Sequence, residues 1–185
     1  VRTLTVTGYP DGTQPAALAV LDRLPFEYRW NTRFIIMSQE RAERVLNASR
    51  RKWHQKRKKL ADQLRSNPSA VIDQDADDMV RDVDGALTEL KSNLVKYGHY
   101  TSAIVLVEKV IGNRAEDVRS AQLKLDEKAK EVRAALQGIG YEVADEDINN
   151  ADAFIGTMPG NLVANVRGAP LHTLNLADLL PLTSA

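Results

Sequence analysis

Four short runs of hydrophobic residues along the chain each predict a β-strand. Positions 2–8 alternate leucine and valine with threonine, and positions 27–37 are rich in aromatic and β-branched residues. Positions 100–108 have a nearly continuous apolar centre, which is typical of a buried central strand. A short fourth strand is predicted at 141–144.

Between the strands, apolar residues recur at the three- and four-residue spacing of helices. Thr13 can cap a short helix that Pro25 ends, and Asn113 can cap a longer one that ends at Gly138 and Gly140. The apolar positions predicted along one face of the longer helix are Val118, Ala121, Leu125, Val132, Leu136 and Ile139.

Two further helices, at about 39–65 and 75–97, flank a polar loop that contains Asn67-Pro68-Ser69. The apolar positions of the first are Ala42, Leu46, Trp53, Leu60 and Leu64. Those of the second are Ala76, Met79 or Val80, Val83, Leu87, Leu90, Leu94 and Tyr97. This is the spacing of a coiled-coil seam, and it predicts an antiparallel hairpin about 35–40 Å long.

The order of these elements predicts an α+β fold. Without the hairpin at 39–98, the order is βαββαβ, the ferredoxin-like arrangement of an antiparallel sheet with two helices on one face. We therefore predict a ferredoxin-like domain over residues 1–147, with the hairpin inserted between its second and third strands. Residues 148–185 are predicted to be a C-terminal extension of irregular and helical structure.

Composition is that of an ordinary globular domain, and it excludes several kinds of site. The 185 residues carry 25 acidic and 25 basic side chains. This balance argues against a surface that binds nucleic acid or anionic lipid all over, but it leaves a local patch open. The absence of cysteine excludes disulfides, iron–sulfur clusters and thiolate zinc sites. No apolar run approaches the ~20 residues that cross a bilayer.

No catalytic residue, cofactor site or metal site is predicted. The sequence has no phosphate loop, G-x-G-x-x-G, G-x-S-x-G or H-E-x-x-H motif. His54, His99 and His172 lie in different elements, so a histidine dyad would depend on the fold gathering them. The acidic run at 73–84 lacks the EF-hand frame and is better explained by the preference of helix N-termini for negative charge. An independent small enzyme therefore has little support.

A cluster of basic residues in the first long helix is the candidate interaction surface. Its members are Arg50, Arg51, Lys56, Arg57, Lys58 and Lys59. Three interpretations stay open: a solvated face partly neutralised by the acidic start of the second helix, a footprint for an acidic protein, or one for nucleic acid. Trp30 and Trp53 are interpreted as packing residues.

Several segments, in this order, together resemble the TrbE/CagE family of conjugation and type IV secretion ATPases. They are Tyr28-Arg29-Trp30 with Thr32-Arg33-Phe34, Arg50-Arg51-Lys52-Trp53, Tyr97-Gly98-His99-Tyr100-Thr101, Phe154 to Pro159-Gly160-Asn161, Asn165-Val166-Arg167, and Thr173 to Pro181. The family-motif residues are Trp30, Arg33, Trp53, Pro159, Gly160, Asn165, Arg167, Asn175, Asp178 and Pro181.

The resemblance implies that this chain is the non-catalytic N-terminal domain of a longer protein. That protein would hydrolyse ATP, with Mg²⁺, in a separate ATPase domain that follows residues 148–185. Both ends of the chain are accordingly expected to be cuts in a longer polypeptide. The implied partners are that ATPase domain, other type IV secretion components and further copies of the chain, with DNA as the alternative. The implied location is cytoplasmic, at the cytoplasmic face of the inner membrane.

Overall fold

The computed structural model of the protein describes residues 1–10, 12–66, 74–161, 163–164 and 167–180, without the side chains of 57–66 and 74–77. The strands are β1 (Arg2–Gly8), β2 (Arg29–Ile36), β3 (Tyr97–Leu106), β4 (Glu142–Asp145) and β5 (Ala169–His172). The helices are α1 (Gln39–Ser66), α2 (Gln74–Lys91), α3 (Ala115–Gln137), α4 (Asn150–Gly156) and α5 (Thr173–Leu179), with a 3-10 helix at Ala17–Arg23. The chain divides into two compact units, residues 36–98 and the remainder.

The larger unit is built on a five-stranded antiparallel sheet, so the predicted α+β class is confirmed. The strand order is β2-β3-β1-β4, and β5 pairs with β3. In β1, Leu4 lies opposite Ile104 of β3 and Val6 lies opposite Val143 of β4. The predicted pattern contained four strands, and β5 is the one that it missed.

One face of the sheet carries the hydrophobic core of the larger unit. α3 covers this face because its leucines, alanines and valines recur at helical spacing, so that they form one buried stripe. The stripe is Ala121, Leu125, Ala129, Val132 and Leu136. It packs on Leu4, Val6, Ile104 and Leu106 of the sheet, and Leu18, Leu21 and Leu179 complete the core. Burial of each large apolar side chain away from water stabilises the folded state by about 1.5–3 kcal/mol.

Three tyrosines form an edge-to-face cluster in this core. The Tyr9 ring lies 6.0 Å from the rings of both Tyr100 and Tyr141. Burial raises the pKa of Tyr141 to about 12, and it raises the pKa of Tyr9 and Tyr100 as well. All three phenols are therefore neutral at physiological pH, as buried tyrosines should be.

Two predicted helix starts are wrong for local reasons. The helix predicted at 13–24 is the 3-10 helix Ala17–Arg23, which starts after Ala16 in a left-handed conformation (φ 57°) and has no side-chain cap. Thr13 does not cap it, because its hydroxyl donates to Asp178. Likewise α3 has Arg114, and not Asn113, at its N-cap position.

The smaller unit, residues 36–98, is the helical hairpin. Its seam is lined by Met37, Ala42, Leu46, Leu87, Leu90, Val95 and Tyr97. Five of these residues, Ala42, Leu46, Leu87, Leu90 and Tyr97, are predicted seam positions, and their burial confirms them. Of the two alternatives Met79 and Val80, Val80 is buried and Met79 is exposed. Leu94 is 76% exposed, contrary to the prediction, because α2 ends at Lys91 and Asn93 adopts the left-handed conformation that terminates helices. The predicted seam positions Leu60, Leu64 and Ala76 lie outside the described side chains.

Candidate functional site

The second face of the sheet is polar, and Arg33 is its central residue. The Arg33 guanidinium donates to the carbonyl oxygens of Asn161 (2.7 Å) and Ala164 (3.0 Å). The two motif segments that carry Arg33 and Pro159-Gly160 are therefore in direct contact, although they are far apart in sequence. Guanidinium groups suit this task because their donors form a rigid fork.

Two more polar side chains of β2 point to the same face at a period of two. Asn31 donates to the carbonyl of Thr157 (3.3 Å), and Arg29 donates to the hydroxyl of Thr157. The Arg29 guanidinium also lies 5.4 Å from the centre of the Phe154 ring. We call Arg29, Asn31 and Arg33 the polar clamp. Sequence reasoning identified only Arg33, although the alternation of these residues with Trp30, Thr32 and Phe34 contained the signal.

The clamp holds residues 157–164, which we call the Pro-Gly segment; residue 162 lies outside the description. Gly160 has a φ of 82°, a conformation that other residues adopt only at a cost. The Asn161 side chain closes the turn, since its Oδ1 accepts the backbone N–H groups of Val163 and Ala164 (3.0 Å each). The Pro-Gly segment therefore contains a turn closed by hydrogen bonds, and its Asn161 and Ala164 carbonyl oxygens point to Arg33.

A second polar contact involves Arg167. Its guanidinium lies 2.9 Å from Glu146 Oε1, and the Glu146 side chain is only 1% exposed. The hydrogen bond to Glu146 raises the pKa of Arg167 above its already high ordinary value. The Arg167 carbonyl also accepts from the Thr101 hydroxyl of β3. Sequence reasoning did not identify Glu146.

α5 is fastened by two contacts that include motif residues. Asp178 accepts from the Thr13 hydroxyl (2.6 Å), and the Asn175 backbone N–H donates to His172 Nδ1 (3.2 Å). Leu179 is fully buried in the core. The motif residues Asn165 and Pro181 lie outside the described residues. Asp178 thus holds α5 to the loop that follows β1, whereas the Asn175 contact is a local cap at the start of α5.

Of the two tryptophans, Trp30 packs as the sequence suggested. Trp30 packs on the core, and its Nε1 donates to Ser102 (2.9 Å). Trp53 is half-buried on α1, with the Lys56 ammonium 4.9 Å from its ring centre.

The basic cluster is only partly available. Arg50 is ion-paired with Asp84 of α2 at 2.7 Å, as the antiparallel hairpin predicted. Arg51 is exposed on α1. The side chains of Arg57, Lys58 and Lys59 lie outside the description.

The described residues contain no group of histidine, aspartate and glutamate side chains able to hold a metal ion. Among the helices that the structure describes, none is long and apolar enough to cross a membrane.

Comparison with known proteins gives the class of this chain. A family model described as the CagE, TrbE, VirB family, component of type IV transporter system, matches residues 1–167. The chain belongs to this family, as its motifs suggested.

The chain is also similar to two proteins that are named as conjugal transfer proteins. The chain is 39% identical over 181 residues to the conjugal transfer protein TrbE of Rhizobium radiobacter. It is 36% identical over 181 residues to a probable conjugal transfer protein TrbE of Sinorhizobium fredii. These matches cover 98% of this chain but only 21% and 26% of the two relatives. The chain thus spans about a quarter of their length.

Proposed function

We propose that this chain is a non-catalytic assembly and interaction domain of a TrbE-type transporter component. In this proposal, ATP and Mg²⁺ bind a region of the polypeptide outside this chain, and the protein acts at the cytoplasmic face of the inner membrane. The partners are that ATPase region, other type IV transporter components and further copies of the chain. The observation that carries the proposal is the hairpin, a compact unit with its own core and without any of the catalytic motifs sought in the sequence.

We also propose that residues 1–147 form a ferredoxin-like domain with the hairpin inserted at 39–98, and that 148–185 form a C-terminal extension. The strand order β4-β1-β3-β2 and the insertion of the hairpin between β2 and β3 support this arrangement. The 3-10 helix would then occupy the place of the first helix of that fold. The polar clamp and the Arg167–Glu146 pair would fasten the extension, so that forces on it reach the sheet.

Excision of the hairpin tests the assembly role. The Met37 N–H donates to the Tyr97 carbonyl (2.9 Å), so the hairpin starts and ends at neighbouring backbone positions. Replacing residues 40–94 by a short Asn-Gly turn should leave the larger unit folded, with a single cooperative thermal transition. The same excision in the full-length protein should retain ATP hydrolysis but lose co-purification with the transporter and DNA transfer.

Two outcomes would contradict the proposal. Transfer at the parental frequency would show that the hairpin has no assembly role. An excised domain that is unfolded by circular dichroism would show that the hairpin is an integral element of one fold and not an insertion.

DNA binding is the second candidate, and the exposure of Arg51 and Lys52 on α1 favours it. Fluorescence polarisation of labelled single-stranded DNA should then show affinity that falls steeply between about 50 and about 200 mM salt. Changing Arg51 and Lys52 together to glutamine should weaken binding severalfold. Changing Arg119 and Lys130, exposed on α3, to glutamine removes the same charge and should not. If both variants lose DNA affinity equally, binding depends on the overall charge of the domain and not on a site at Arg51 and Lys52.

A further inference from the structure

The connection between β3 and α3 exposes an unusual group of apolar side chains. Ile111 is 84% exposed, Val107 is 53% exposed and Val110 is 45% exposed. Val118, in the first turns of α3, is 43% exposed. Single exposed apolar residues are normal, but a group on one short connection marks a contact surface. We call residues 107–114 the apolar loop.

The end of this loop that leads into α3 is held by a side chain of that helix. Gly112 has a φ of 113°, and a Cβ there would lie 2.3 Å from Asp117 Oδ2. The same carboxylate accepts the Arg114 backbone N–H at 3.0 Å. The turn that presents Ile111 to solvent is thus tied to the start of α3, so little conformational entropy is lost when the loop makes a contact.

The charged residues that directly flank the Val110-Ile111 pair with exposed side chains are basic. Lys109 and Arg114 are exposed on either side of the Val110-Ile111 pair. Glu108 is neutralised by Lys128 (2.6 Å) and Lys124 (3.8 Å), and these contacts lower its pKa. The remaining acids, Glu116 and Asp117, occupy the first turn of α3, where the helix dipole favours negative charge.

We propose that the apolar loop inserts its tip, Val110 and Ile111, into an anionic lipid surface while Lys109 and Arg114 contact the headgroups. Apolar side chains flanked by basic ones are the chemistry that binds the interface of such membranes. The patch is too small to supply the roughly 800 Å² that each side of a stable protein interface buries. A lipid surface needs no complementary shape.

Each loop binds weakly, because only two apolar side chains and two cations contact the lipid. Several copies in one assembly would add their contributions. The inference deepens the membrane-face location proposed above. Its test uses only the chain and lipid, so a failure there would leave the assembly role untouched.

The absence of cysteine allows a background-free test. Ile111→Cys carries an environment-sensitive fluorophore, and the matched control is Ile148→Cys, at a residue that is 98% exposed but lies beside Asp147. Vesicles are phosphatidylcholine alone, or phosphatidylcholine with a third replaced by phosphatidylglycerol. The label at 111 should shift to the blue and brighten only with the anionic vesicles, and the label at 148 should not respond.

Co-sedimentation of unlabelled protein completes the test. Ile111→Asp should lower binding to anionic vesicles by about tenfold or more, since it removes an inserted side chain and adds a repelled charge. Its melting temperature should be unchanged, because the side chain is exposed. The proposal would be overturned if the label at 111 kept the emission that it has in water when anionic vesicles are added. An equal response of the label at 148 would also overturn it. So would light scattering that shows Ile111→Asp converting a dimer into a monomer, which would make the loop a protein interface.

Discussion

Replacing Arg33 by alanine is expected to release the Pro-Gly segment from the sheet and to lower the free energy of unfolding by about 2–4 kcal/mol. The guanidinium makes two charge-assisted hydrogen bonds to carbonyl oxygens, and such bonds contribute about 1.5–3 kcal/mol each. Because Arg33 is only half-buried, solvent screens both bonds and the expected loss is smaller than their sum. The variant also leaves the Asn161 and Ala164 carbonyls without these donors. Urea unfolding measures the loss, and hydrogen exchange of peptides covering 154–164 locates it.

Two control variants separate the geometry of the clamp from its charge. Arg33→Lys keeps the charge but cannot present a planar fork to two carbonyls, so it should recover only some of the stability. Arg44→Ala removes an exposed arginine on α1 and should change stability by less than about 0.5 kcal/mol. Unchanged exchange in 154–164 for Arg33→Ala would mean that the turn formed by Asn161 holds the segment without the clamp.

The sequence predicted the elements of the fold that depend on local periodicity. The α3 stripe is an example, because Leu125, Val132 and Leu136 are buried as their spacing indicated. The ends of the same stripe fail, since Val118 is 43% exposed and Ile139 is 37% exposed. Periodicity gives the direction in which a side chain points. It does not give the length of the surface that covers it.

The contacts of the clamp could not be predicted because they are non-local. Arg33 and Asn161 are 128 residues apart, and only the folded sheet brings them together. Family resemblance identified Arg33, Pro159 and Gly160 as a set without saying that they touch. The hairpin contact was different: antiparallel helices of known register place Arg50 beside the acidic region of α2, and the Arg50–Asp84 pair confirmed it.

These contacts give the motif residues a common physical role. Arg33 and Arg167 lie at two contacts of the chain between α4 and β5, where the described residues 157–161, 163–164 and 167–168 form no helix or strand. Such stretches bury few apolar side chains, so polar contacts decide whether they are ordered. If the extension leads to a motor domain, as we propose, losing either arginine would weaken that connection while the core formed by α3 and the sheet stays folded.

Replacing Arg167 by alanine should be the second large effect, about 2–3 kcal/mol of lost stability. The cost comes from Glu146, whose side chain is 1% exposed and would keep a buried carboxylate without its partner. Breaking a buried pair from one side costs about 3–5 kcal/mol. The Arg167 side chain is 45% exposed, so solvent screens the pair and the expected loss lies at or below the lower end of this range.

A second substitution tests this explanation. Adding Glu146→Gln to Arg167→Ala removes the unpaired charge, so the double variant should be more stable than Arg167→Ala alone even though it carries one more change. Urea midpoints of the four proteins in this cycle measure the coupling. Equal midpoints for Arg167→Ala and the double variant would mean that the buried charge is not the source of the loss. The packing lost with the Arg167 side chain would then be its cause.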